Sequence, residues 1–226
     1  MAREEEKTLF EIGKKWWGEW GEKEKIDNRP PELKVFNPLQ ARCKDVLLVM
    51  TPELAGKQLM VIEMYASDIR VGKEVFPFMD YDVHDEATDT RVVVRIQKKD
   101  GTTPDVVDFD IIVLSKDYEM GYDEELHKRI LPGGILEENE DGKIVATYTR
   151  LNGAKQSYAV QTTVFAFDGS TKQESVETWD FGRDTEDGVE FYFVEMNDET
   201  KMFQMFRGRA LSSMDDVMPL RNKVTA

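Results

Sequence analysis

Alternation of apolar and polar positions runs through most of the chain after residue 44, and it is clearest in residues 173–211. There it reads as three strands joined by two polar turns, 183–188 and 197–200, whose Asp, Asn and Gly residues suit turn backbone. Side chains alternate along a strand, so Phe191, Phe193 and Glu195 share one face while Tyr192, Val194 and Met196 share the other. Both faces carry apolar bulk, which predicts a meander set inside a larger sheet.

The same theme recurs at 45–50, 58–65, 74–83, 91–97, 106–114, 144–150 and 157–167. In the last of these, Tyr158, Val160, Thr162, Val164 and Ala166 fall on one face. Turn signals separate the runs, among them Val71-Gly72, Asp100-Gly101, Asp141-Gly142, Asn152-Gly153 and Asp168-Gly169. Helical spacing shows in two places. In residues 8–25, Leu9, Ile12, Trp16 and Trp20 recur every three or four positions, with Phe10 and Trp17 beside them. A shorter helix is expected within 118–131, ended by Pro132-Gly133-Gly134. The fold prediction is mainly β, with antiparallel sheets in two related β units, as a sandwich or open barrel, an N-terminal amphipathic helix and a short mid-chain helix. The boundaries predicted are a helical arm over 1–27, a first β unit over 28–131 and a second over 132–226, the two β units being alternatively one continuous domain.

The halves resemble each other locally. An aromatic-rich strand leads to Asp80-Tyr81 in one and to Asp180-Phe181 in the other, and each is followed by an acidic turn and further strands. This marks the same place in two meanders and predicts an internal duplication.

Three tryptophans within five residues make the N-terminal helix conspicuous. Gly13, Gly18 and Gly21 each cost it about 1 kcal/mol relative to alanine, so it needs a surface to dock on. That surface is its own sheet or a partner, and Trp16, Trp17 and Trp20 are the candidate partner contacts, since aromatics concentrate binding energy at interfaces. Peripheral membrane association is the weaker reading, because the polar residues of this helix balance acid and base instead of being basic.

Charge narrows the partners. Thirty basic against 45 acidic residues give a net charge of −15, which repels phosphate backbones, and no basic cluster offsets it. Nucleic acid is therefore excluded as an expected partner. With 33% charged residues the chain should be soluble, and no apolar run is long enough to cross a bilayer. The single cysteine, Cys43, rules out an internal disulfide, and the first residues show no apolar signal core; a cytoplasmic location is expected.

Little in the sequence speaks for catalysis. The two histidines, His84 and His127, fall in an acidic turn and on the mid-chain helix, without metal-ligand spacing. No phosphate-cradling loop or dinucleotide fingerprint occurs, and no cofactor is implied. Carboxylate pairs on one strand face, Asp80 with Asp82 and Asp108 with Asp110, are the metal or acid–base candidates. The competing reading for the second pair is a solvated face opposite Val107, Phe109, Ile111 and Val113. Met196, Met202 and Met205 read as core filling.

Several short elements resemble an uncharacterised β-rich bacterial domain family with a W-D-Y-x-R element, an apolar strand ending in Glu and a G-R-x-[IL] close. They are Glu177-Thr178-Trp179-Asp180-Phe181-Gly182-Arg183, Phe191-Tyr192-Phe193-Val194-Glu195 and Phe206-Arg207-Gly208-Arg209, with Asn37-Pro38-Leu39 and Phe78-Met79-Asp80-Tyr81 similar to its opening half. Here Phe181 stands for the tyrosine. Such families are often encoded beside phage-shock-type membrane-stress proteins, so the resemblance implies an accessory or assembly role and carries no catalytic residues. The function expected is a non-enzymatic cytoplasmic interaction protein with a protein partner. The alternatives are a metal-dependent or small-ligand enzyme using clustered Asp residues and a subunit that assembles into homo-oligomers through sheet edges.

Overall fold

The computed structural model describes residues 41–71, 74–98, 109–130, 135–141, 143–151, 157–211 and 217–220. The expected N-terminal helix, with Trp16, Trp17 and Trp20, lies outside them. Two four-stranded antiparallel meanders carry the fold. The first is β2 (Leu59–Val71), β3 (Glu74–Asp85), β4 (Thr90–Lys98) and β5 (Phe109–Met120). The second is β8 (Tyr158–Ala166), β9 (Thr171–Thr185), β10 (Gly188–Asn197) and β11 (Phe203–Ala210).

A meander leaves two edge strands with unpaired backbone groups, and each meander here satisfies the other's edges. Along one seam β5 pairs β11 antiparallel, from Ile112↔Ala210 to Met120↔Phe203. Along the other β2 pairs β8, from Glu63↔Ala166 to Ile69↔Val160. The result is a closed eight-stranded antiparallel barrel, where the sequence predicted a sandwich or an open barrel. Closure removes every barrel edge, a stronger solution than stacking two open sheets. Register shifts between Val61 and Glu63 and between Met205 and Phe206 supply the local bends that closure needs. Gly208 sits where β11 comes closest to β5: a Cβ there would stand 1.9 Å from the Val113 carbonyl oxygen, so a side chain is excluded.

The turns follow the sequence signals. Asn197 Oδ1 accepts the backbone N–H groups of Glu199 and Thr200, both at 3.0 Å, which closes the β10–β11 turn. Gly169, at φ +86°, closes the β8–β9 turn.

Other elements pack on the outside. β1 (Val46–Val49) pairs the start of β2 and, on its other side, β12 (Val217–Leu220). A hairpin of β6 (Ile135–Glu140) and β7 (Lys143–Arg150) joins the far end of β9 through Thr149↔Gly182 and Arg150↔Phe181. The expected short helix is α1 (Glu124–Ile130), whose entry is capped by Asp123 Oδ1 accepting Leu126 N–H at 2.8 Å. Its exit is held by Arg150, which donates Nη1–H to the Ile130 carbonyl at 2.8 Å. Between α1, the hairpin and the barrel wall lies an apolar cluster that includes Leu126, Ile130, Tyr148, Trp179, Phe181 and Phe203. Each large side chain buried there stabilises the fold by about 1.5–3 kcal/mol. Among the described residues no helix is long and apolar enough to cross a membrane.

Candidate ligand site in the barrel lumen

Strand alternation decides what enters the barrel. On β3, Met79, Tyr81 and Val83 turn outward, while Phe78, Asp80 and Asp82 turn in; all six are buried. On β10, Phe191, Phe193 and Glu195 face the lumen and Tyr192, Val194 and Met196 the outer cluster. On β8 the predicted face containing Val160 and Thr162 is the lumen face. The lumen is thus a second interior, unlike the outer one in carrying charge.

Part of its wall is apolar. Ile112, Leu114, Phe193 and Phe206 form one cluster, with Val93 and Phe191 against it. Beside that cluster lies Arg95, 4% exposed. Its Nε and Nη2 donate to the two oxygens of Asp80, each at 2.8 Å, and Nη2 also donates to Glu195 Oε1 at 2.9 Å. Asp80 is Arg95's direct neighbour on β3, whereas Glu195 sits three strands round the wall on β10. The guanidinium therefore ties the two meanders together across the lumen. It is sandwiched between aromatic faces, 4.4 Å from the Phe78 centroid and 4.6 Å from that of Phe193. Burial works against its charge, but Asp80, Glu195 and Asp180 outweigh that and raise its pKa above the ordinary guanidinium value.

Asp80, Glu195 and Asp180 share the field of Arg95, and Arg150 adds a further attraction on Asp180. Asp180, on β9, takes a hydrogen bond from Thr178 Oγ1 at 3.0 Å. Burial holds its carboxyl above the usual range, and the attraction of Arg95 offsets this only in part. Glu195 is raised for the same two reasons in the same order. Burial thus raises both carboxyls above their ordinary values.

A second layer lies toward solvent. Arg91, mostly exposed, holds buried Asp82 through Nε at 2.9 Å and through Nη2. Lys172 reaches Glu174 at 2.5 Å, and the Tyr65 hydroxyl donates to Glu63 at 2.5 Å. Burial, with Glu63 second, pushes the Tyr65 phenol far above its ordinary value.

Beside the Arg95 cluster, bordered by its partners Asp80 and Glu195, is a cavity of about 80 Å³. Six of the eight barrel strands line it: Tyr65 and Ser67 from β2, Phe78 and Asp80 from β3, Thr162 from β8, Glu174 and Val176 from β9, Glu195 and Asn197 from β10, and Gln204 from β11. Ser67 and Thr162 share a hydrogen bond of 2.8 Å across the β2–β8 seam. The wall offers several oxygen acceptors and a short apolar side.

The sequence candidates separate here. Asp80 and Asp82 do come together, both inside the barrel and both ion-paired. Asp110, half-buried, lies opposite Gln97 further along β5. Asp108 lies outside the described residues, as do Trp16, Trp17 and Trp20. Among the described residues no three His, Cys, Asp or Glu side chains converge to hold a metal ion. His84 sits near the end of β3, 3.0 Å from Asp89 in the β3–β4 turn, and His127 packs edge-on to Trp179 with its Nδ1 3.0 Å from the Tyr122 hydroxyl. Sequence reasoning missed Arg95, Glu195 and Asp180 as a group. Part of their signal was present: Arg95 and Glu195 each follow a run of apolar residues on their strand, whereas Asp180 lies on a largely polar strand.

A larger concavity of about 220 Å³ lies outside the barrel, between α1, the β6–β7 hairpin and β5, β10 and β11. Tyr118, Met120, Leu136 and Met205 are among its lining residues, with Asp123, Arg129 and Glu137 as its charged members. The Tyr192 hydroxyl there donates to Met205 Sδ at 3.4 Å. Comparison with protein-family models, curated proteins and solved structures finds no match for this chain.

Proposed function

We propose that this protein is a non-enzymatic binding protein whose barrel lumen receives a small ligand. The observation that carries this reading is the cavity beside the Arg95 cluster, lined by side chains from six strands. Eight-stranded barrels are just wide enough either to fill with side chains or to hold one small ligand. Catalysis is not favoured by the same geometry. Asp80 and Asp82 each have both oxygens hydrogen-bonded to an arginine.

The experiment is a nuclear magnetic resonance screen of the full chain against small polar molecules of two to five heavy atoms. Shifts centred on Tyr65, Ser67, Thr162 and Glu195, abolished by filling the cavity with Val176→Phe, are expected. Shifts confined to the outside of the barrel, or unchanged in the filled variant, would sink the lumen reading.

A second reading is favoured by a different observation. Tyr118, 63% exposed, and Tyr122, 53% exposed, stand near the outer concavity, with Met120 and Met205 in its wall. Exposed aromatics beside flexible thioethers suit an apolar side chain of a protein partner. A Tyr118→Ala variant that loses a captured partner while keeping lumen binding would separate the two readings.

A further inference from the structure

We propose that the ligand of the lumen is a small organic ammonium ion, a primary amine of about three to five heavy atoms. This rests on the lumen being the binding site.

Size comes first. A cavity of about 80 Å³ is smaller than the roughly 150 Å³ that holds benzene and larger than the roughly 30 Å³ share of one water. A two- or three-carbon amine fits between those limits.

Charge comes second. Asp80, Glu174 and Glu195 line the cavity, and among the described residues no arginine or lysine does. The Arg95 donors that reach toward it end on Asp80 and Glu195, and Lys172 approaches Glu174 from the solvent side, with 64% of its side chain exposed. Asp180 adds a third carboxylate around the same guanidinium. An anionic ligand would meet three carboxylates, with only neutral amide and hydroxyl donors in the lining to offset them, and a neutral one would leave their charge as it is. A cation supplies the opposite charge.

Form comes third. An ammonium group has three donors and no acceptor. The lining residues that bring oxygen acceptors include Glu195, Gln204 and Thr162, from three different strands. Phe78, Val160 and Val176 provide an apolar side for the carbons. A bare metal ion fits poorly, because among the described residues the carboxylates do not converge as a coordination shell.

The test uses the full chain titrated with n-propylammonium chloride, with 1-propanol and sodium propionate as isosteres and sodium chloride at matched ionic strength. Lumen resonances of Thr162, Val176 and Glu195 are expected to shift with propylammonium and not with the other three. Calorimetry in two buffers of different ionisation heat is expected to show proton release on binding, since a cation beside Glu195 and Asp180 favours their ionised forms. Glu195→Gln is expected to weaken binding at least tenfold. If that variant does not fold, proton release by the unaltered chain still decides. Equal shifts with 1-propanol, and no proton release, would overturn the ammonium assignment while leaving the lumen as a ligand site. Propionate binding in preference to the amine would do the same. Silence of every lumen resonance with all probes would overturn both.

Discussion

Asp80 and Asp180 hold matching places in the two meanders and live in different electrostatic worlds. Each sits on the second strand of its meander, faces the lumen, and is followed by an outward aromatic that is fully buried, Tyr81 in one case and Phe181 in the other. The cross-strand partner makes the difference. Opposite Asp80 stands Arg95; opposite Asp180 stands Phe193. Asp80 is consequently clamped at two points, while Asp180 borrows part of the same guanidinium's field and one hydroxyl. A carboxylate's role in a barrel is set by the residue across the ladder more than by its own strand.

Removing the shared cation should have the largest effect. Arg95→Leu leaves Asp80 and Glu195 buried without their partner, and breaking a buried pair in this way costs about 3–5 kcal/mol. Urea denaturation is expected to show that loss at pH 7 and a smaller one near pH 4, where the stranded carboxyls can take up protons. A loss under 1 kcal/mol at neutral pH would mean that Arg95 does not bridge the meanders.

Asp80→Asn and Asp180→Asn then split the comparison. The first removes both strong acceptors of a guanidinium that keeps only Glu195, and is expected to cost about 2 kcal/mol. The second removes a charge that burial already disfavours, so no loss is expected at neutral pH. Equal losses in the two variants would erase the asymmetry.

The aromatic that follows each aspartate gives a smaller effect of opposite sign. The Tyr81 hydroxyl is fully buried and has no hydrogen-bond partner among the described residues, whereas Phe181 has no hydroxyl to satisfy. Burial, and to a lesser degree Asp45, push the Tyr81 phenol far above its ordinary value. Tyr81→Phe is therefore expected to stabilise the protein by about 1 kcal/mol, read as a higher urea midpoint with unchanged slope.

How much of this could be read from the chain follows from the range of each signal. Period-two alternation made the strands of residues 173–211 legible, and it placed Phe193 and Glu195 on one face and Tyr192 and Val194 on the other, as found. The Asp141-Gly142 and Asp168-Gly169 signals placed the β6–β7 and β8–β9 turns. Closure was not legible, because the β2–β8 and β5–β11 seams join residues nearly 100 positions apart and backbone pairing leaves no local mark. The pairing of Arg95 with Glu195 was hidden for the same reason: they are 100 residues apart, on strands that are not neighbours. A barrel packed on both faces buries Trp179 and Phe181 on its outer side.

The pH dependence of the Asp180 variant is the most delicate of these comparisons, and its sign can be worked out. Burial raises the folded-state pKa of Asp180 above the unfolded value, with Arg95, Thr178 and Arg150 opposing the rise. The folded state thus binds more protons at this position than the unfolded state, and the group costs stability above its folded pKa. That cost disappears as pH falls below the unfolded pKa, where both states carry the proton. Wild type and Asp180→Asn should therefore differ most at pH 8, with the variant the more stable, and converge as pH falls toward 4. Asp180 also raises the Glu195 pKa, so the difference between the two urea midpoints reports Asp180 together with its effect on Glu195. A gap that stays constant with pH, or that favours wild type at pH 8, would show that Arg95 serves Asp180 as fully as it serves Asp80.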